Sequence, residues 1–264
     1  MIRVLAIALN TFREAIRNKI LYALLFFAIA LIVFTLILGQ MSMHEEVRVT
    51  RDVGLGGIEL FGVLIAIFVG VNLVYKELDK KTVFALIPKP IHRWEFILGK
   101  FGGMLLTLAL LVAIMSGVLF LVLAVQDKGL DGAGAVVRAI VMLFVEVMVV
   151  TSMAVLFSTF TTPFLSGLFT LAIFIVGCFP GVLRELIAKL GDAALRRVLS
   201  AVLRIVPDLH LFFVSGSTVG GQSVSVHGDY VDWSFVATAS AYGVFYAACA
   251  LALAMLLFAR RDFI

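Results

Sequence analysis

The sequence is poor in charge. Asp, Glu, Lys and Arg make up 14% of its 264 residues, against roughly 25% in a globular domain. Hydrophobic residues make up 62% and mean hydropathy is +1.14, so an ordinary water-soluble fold is excluded. Cysteine is scarce as well. Cys178 and Cys249 both fall inside apolar blocks, form neither a disulfide framework nor a ligand cluster, and read as small buried hydrophobes. His44, His92, His210 and His227 all stand in loops, which denies an intramembrane serine protease the base its nucleophile needs. The run Gly216-Ser217-Thr218-Val219-Gly220 is no nucleophile elbow, because its serine is misplaced. No GxxxxGK[ST] phosphate loop occurs. Gly99-Lys100 lacks both the upstream glycine spacing and the following Ser or Thr. The net charge of +4 is modest and gathers at the ends of apolar runs, which points to a lipid bilayer rather than nucleic acid as the partner.

Apolar blocks near 20 residues long are what is abundant, the length a helix needs to cross about 30 Å of hydrocarbon. They predict spans at 20–39, 58–75, 100–125, 135–157, 163–183 and 235–258. The expected fold is an all-α integral membrane protein, with residues 1–264 forming a single transmembrane domain. Before the first span, Arg3, Asn10, Arg13, Glu14 and Arg17 share one helical stripe, with Leu5, Leu9, Phe12 and Ile16 largely elsewhere. This predicts a retained, in-plane interfacial helix over 1–19 rather than a cleaved signal.

Lysine and arginine fix the expected orientation. With the N-terminus inside, the cytoplasmic segments carry Arg3, Arg13, Arg17, Lys19, Lys76, Lys80, Lys81, Lys89, Arg93, Lys100, Arg260 and Arg261. The first two outer loops carry only Arg48, Arg51, Lys128 and Arg138. Both termini are therefore expected in the cytoplasm. The connector 184–234 breaks the bias, but Glu185, Lys189, Asp192, Arg196, Ser200 and Arg204 share a face opposite Ile187, Val198, Val202 and Ile205. That pattern predicts a second in-plane helix, stopped at Pro207. Gly216, Gly220, Gly221 and Gly228 then predict an irregular or hairpin-like loop before Trp233, an interfacial anchor.

The stretch from Tyr75 to Lys100, YKELDKKTVFALIPKPIHRWEFILGK, is too long for a turn and too short for a domain. Pro88 and Pro90 remove two backbone donors, so a short helix from Leu78 to Leu86 should stop there and another begin near His92. The result is a charged cytoplasmic elbow over 76–99. It closely resembles the loop after the second span of type-2 ABC export permeases. The residues that carry the likeness are Glu77, Thr82, Leu86, Ile87, Lys89, Pro90, Ile91, Arg93, Phe96, Gly99 and Lys100. Lys81 departs from it, standing where the family commonly has glycine. The opening TFREAIRNKILYALL, residues 11–25, also looks like this family, most of all like the permease of the nitrous oxide reductase maturation transporter and its relatives. The resemblance implies a bacterial or archaeal inner-membrane exporter subunit, paired with an identical or different second permease chain. ATP and Mg would sit on separate ABC ATPase subunits, with no cofactor on this chain. Glu77, Thr82, Lys89, Pro90, Arg93 and Glu95 would receive the ATPase.

Two acids stand inside spans. Glu146 lies near the middle of the fourth, where a carboxylate costs roughly 2.5–3.5 kcal/mol unless protonated or paired. It is expected either to serve transport or to hydrogen-bond a hydroxyl such as Thr151 or Ser152, or one on another helix. The first role leaves a proton-coupled secondary transporter as an alternative, although paired broken spans in inverted repeats are not evident. Glu59, at the outer start of the second span, is expected to be shallow and structural. Gly99 with Gly103, and Gly177 with Gly181, have a four-residue spacing that suits close helix contact, including dimerisation.

Overall fold

The computed structural model describes residues 2–41, 46–79, 92–126, 133–189, 193–213, 217–219, 222–224 and 232–260. Its helices are α1 (Ile2–Ile16), α2 (Lys19–Met41), α3 (Glu46–Asp79), α4 (Arg93–Val125), α5 (Ala133–Ser158), α6 (Pro163–Cys178), α7 (Pro180–Lys189), α8 (Ala193–Ile205) and α9 (Trp233–Arg260). Strands β1 (Ser217–Val219) and β2 (Gln222–Val224) pair antiparallel, with Ser217 opposite Val224. This is the hairpin expected before Trp233.

α2, α3, α4, α5 and α9 are each long and apolar enough to cross a membrane, and α6 with α7 makes a sixth if the bent pair is one span. The chain is an all-helical, multi-pass membrane protein. The fifth span expected over 163–183 is broken: α6 ends at Cys178 and α7 leaves at 83°. The cause is local. Pro180 disfavours helical geometry at Phe179, whose φ of −121° and ψ of 47° lie outside it. The single helix expected before Pro207 is likewise two helices, α7 and α8, with the step between them outside the described residues. α3 begins at Glu46, twelve residues before the expected start at 58, so most of the first outer connector is helix. At 34 residues it measures about 51 Å, longer than the hydrocarbon core is thick.

α5 is the central post, packed by α3, α4, α6 and α9. Ile58, Ile65, Met104, Leu108, Met115, Leu119, Met142 and Val147 are fully enclosed, whereas Phe26, Phe27, Phe164 and Phe245 point outward. Lipid is as apolar as leucine, so helix contact here depends on close fit rather than on escape from water. Gly62 supplies that fit between α3 and α5. A Cβ there would stand 3.2 Å from Val147 Cγ2. Beyond α8, the turn at 205–208 is strapped to α9. Tyr246 Oη donates to the Ile205 carbonyl at 2.8 Å, and the Asp208 N–H donates to Tyr242 Oη at 3.1 Å.

Candidate functional site

Two sets of polar side chains are built into this helical frame, one where α1 meets the start of α4 and one inside the bundle. At the first, the elbow is entered by α3, which runs continuously through Glu77 and Leu78 to Asp79, and left by α4, which starts at Arg93. The separate short helix expected from Leu78 is thus, at its beginning, the end of α3. Thr82, Lys89 and Pro90 lie outside the described residues, as do the side chains of Glu77 and Arg93. Glu95 is buried. Its Oε2 accepts the His92 N–H at 3.0 Å, closing the first turn of α4 where backbone donors lack intrahelical partners.

α1 lies along the start of α4. The contact is made by Gly99 and Gly103, whose four-residue spacing serves this intramolecular fit. A Cβ on Gly99 would meet the Ile7 side chain at 2.7 Å, and one on Gly103 the Ala8 carbonyl at 2.4 Å. Lys100, between them, is 2% exposed. Its Nζ sits 3.8 Å from Glu14 Oε2 and 5.9 Å from the Phe96 ring centroid. Ala8, Thr11 and Ala15 form the buried face of α1, while Leu5 and Leu9 are exposed beside Arg3 and Arg13. Arg17 stands in the turn after α1, and Asn18 Oδ1 accepts the Ile20 N–H at 3.1 Å to start α2. Arg13, Glu14, Arg17 and Lys19 border a cavity of about 820 Å³ at that bend.

Inside the bundle, Glu59 of α3, Glu146 of α5 and Cys178 of α6 converge, with donor atoms all within 4.8 Å of one another. Glu146 is 1% exposed, and neither of its carboxylate oxygens has a hydrogen-bond partner among the described residues. The expected bonds to Thr151 and Ser152 are not made. Those hydroxyls donate back along their own helix, to the carbonyls of Val147 at 2.7 Å and Val149 at 2.7 Å. Glu59 is half-buried, and its carboxylate lies beside that of Glu146. Cys178, read from sequence as a small hydrophobe, reaches the acids because α6 ends there.

The pair Gly177 and Gly181 does not form one helical face, since the bend separates them. Gly177 is pressed against the 207–209 turn, where a Cβ would meet the Pro207 carbonyl at 2.7 Å, while Gly181 faces open space. The end of α6 is therefore held in place by the same turn that α9 straps down.

No curated protein sequence matches the chain. Its residues 5–263, from the first turn of α1 to beyond the end of α9, match the family described as ABC-2 family transporter protein. The match takes in both polar sets and nearly the whole chain, and the chain belongs to the ABC-2 transporter family.

Proposed function

We propose that the chain is the permease subunit of an ATP-driven exporter of the inner membrane. A separate ABC ATPase would bind and hydrolyse ATP with Mg, and two permease chains would form the pathway between them. The observation that carries this reading is the family match across 5–263, joined to a helical frame whose two longest helices, α3 and α4, end and begin on either side of residues 80–92. Each is about 50 Å long, so their facing ends extend past a hydrocarbon core of about 30 Å. Residues 80–92, which join them in the sequence, are the proposed docking segment for a cytosolic partner. Membership of the family supports this reading over a secondary transporter driven through Glu146.

Glu77, Thr82, Lys89, Pro90 and Arg93 are the proposed ATPase contacts, and Glu95 the residue that fixes the start of α4. With both termini cytoplasmic, Arg3, Arg13, Glu14 and Arg17 place α1 and its bend at the inner surface. Glu14 has the further task of holding Lys100.

The test is to pull the tagged chain from its native membrane. Recovery of a stoichiometric ATPase bearing GxxxxGK[ST] supports the assignment, and a chain that purifies alone and moves solute without ATP overturns it. Glu77→Ala and Arg93→Ala are expected to lower ATP-coupled transport by about 5–150-fold, the range of a coupling free energy of 1–3 kcal/mol, with membrane insertion intact.

A further inference from the structure

We propose that Glu59, Glu146 and Cys178 form a binding site for one divalent cation of zinc's class within the membrane part of the protein. This goes beyond the exporter reading and does not rest on it.

The donor set comes from three helices that the sequence separates widely and the fold joins. Their donor atoms lie within 4.8 Å of one another. Tetrahedral zinc, at about 2.3 Å from sulfur and 2.0–2.2 Å from oxygen, sets its ligands roughly 3.4–3.6 Å apart. Rotating the carboxylates by about an ångström at the oxygens closes that difference. A shared proton asks for something else, an O–H···O bond of about 2.5–3.0 Å, and neither Glu146 oxygen makes any hydrogen bond among the described residues.

Burial adds the second argument. Glu146 is 1% exposed, and among the described residues no Lys, Arg or His forms an ion pair with it or with Glu59. A carboxyl group at this depth needs either a proton or a counter-charge, and a bound cation would supply the second. The end of α6 does not supply one. Its terminal carbonyls carry the negative end of the helix dipole and add to the attraction for a cation.

The chemistry of the donors selects the ion. Two carboxylates alone would suit calcium or magnesium, which take six or more oxygens. A thiolate with two carboxylates suits a borderline ion in a small tetrahedral site. Three protein ligands leave a fourth position for water or an exchanging ligand, and half-buried Glu59 marks the side from which the ion enters. On binding, the Cys178 thiol loses its proton to water and sulfur becomes the ligand, as do the two carboxylates.

The experiment uses the full chain in lipid nanodiscs, stripped with chelator and titrated with zinc, then with cobalt as a spectroscopic substitute. Expected are one zinc per chain and a sulfur-to-cobalt charge-transfer absorption in the near ultraviolet. Cys178→Ser should abolish the absorption, and Glu146→Gln should weaken zinc binding by at least what loss of an outer-shell partner costs, about 10–100-fold. Cys249→Ser, on an exposed thiol outside that cluster, should change neither. Failure to bind zinc stoichiometrically, cobalt binding without the sulfur band, or affinity unchanged in both Cys178→Ser and Glu146→Gln would each overturn the proposal. Should Glu146→Gln not fold, the cobalt spectra of the wild type and Cys249→Ser still decide it. None of these readings uses ATP or cargo, so they stand apart from the exporter test.

Discussion

Lys100 and Glu146 are almost equally enclosed, at 2% and 1% exposure, yet their surroundings are opposites. Lys100 lies in the third turn of α4 with a carboxylate, an aromatic ring and a glycine on either side. Everything near it serves to hold α1 down. Glu146 lies mid-helix with a second acid and a thiol for neighbours and no hydrogen bond on either oxygen. A buried charge given its complement is a strut. One beside a second acid and a thiol has no such complement among the described residues, and must be met by a proton or by the cation proposed above.

The comparison can be broken at the strut first. Gly103→Val should have the largest effect, since its Cβ would collide with the Ala8 backbone. Overpacking at a rigid contact costs about 1–3 kcal/mol and here should reach the upper end. Unfolding in mixed micelles would report the loss, with α1 newly open to protease. Glu14→Gln removes the carboxylate facing buried Lys100. Glu14 is itself a third exposed, so the loss is expected near 1–2 kcal/mol rather than the 3–5 of a fully buried pair. Lys100→Met, which removes the buried member and keeps its apolar stem, should cost less. Equal losses in the two variants would contradict the strut reading.

At the bundle's interior the sign should reverse. Glu146→Gln in chelator-treated protein is expected to stabilise the chain by about 1 kcal/mol, by replacing an uncompensated acid with a neutral amide. A destabilised variant under those conditions would mean that Glu146 is a structural residue after all.

The smallest effect belongs to an exposed control, Asp232 at the start of α9. The Ser234 hydroxyl, donating at 2.7 Å, holds its carboxyl below the usual 3.8, helped by the Trp233 N–H at 2.8 Å. The folded value is the depressed one, so this contribution is complete above the unfolded value and fades as pH falls through the folded one. Asp232→Asn should flatten that slight acid-side slope in an unfolding-versus-pH series and leave the neutral region unchanged.

Composition made the spans legible because each apolar run is long enough to have one interpretation. It was weaker where two signals overlapped. The run through Phe174, Gly177 and Phe179 is apolar without interruption, so it reads as one crossing. Pro180 carries the contrary signal in a single residue, and the bend follows from it. The stripe of α1 was visible, but the partner of Gly99, Lys100 and Gly103 was not, since periodicity names a face and not what lies against it. Glu59, Glu146 and Cys178 show the same limit more sharply. Each alone has an ordinary explanation, and only the packing of three distant helices brings them together. The elbow was read by resemblance, and its central residues, 80–91, lie outside the described structure.

The glycine pair on α4 has a mechanical consequence. Any torque delivered to residues 80–92 enters α4 at Arg93, and within two turns it meets α1, locked on without slack. α1 in turn is joined to α2 by little more than Arg17 and Asn18. The opening helix would then act as a crossbar between α4 and α2, and on the exporter reading stiffening that short joint should matter as much as any residue in the elbow.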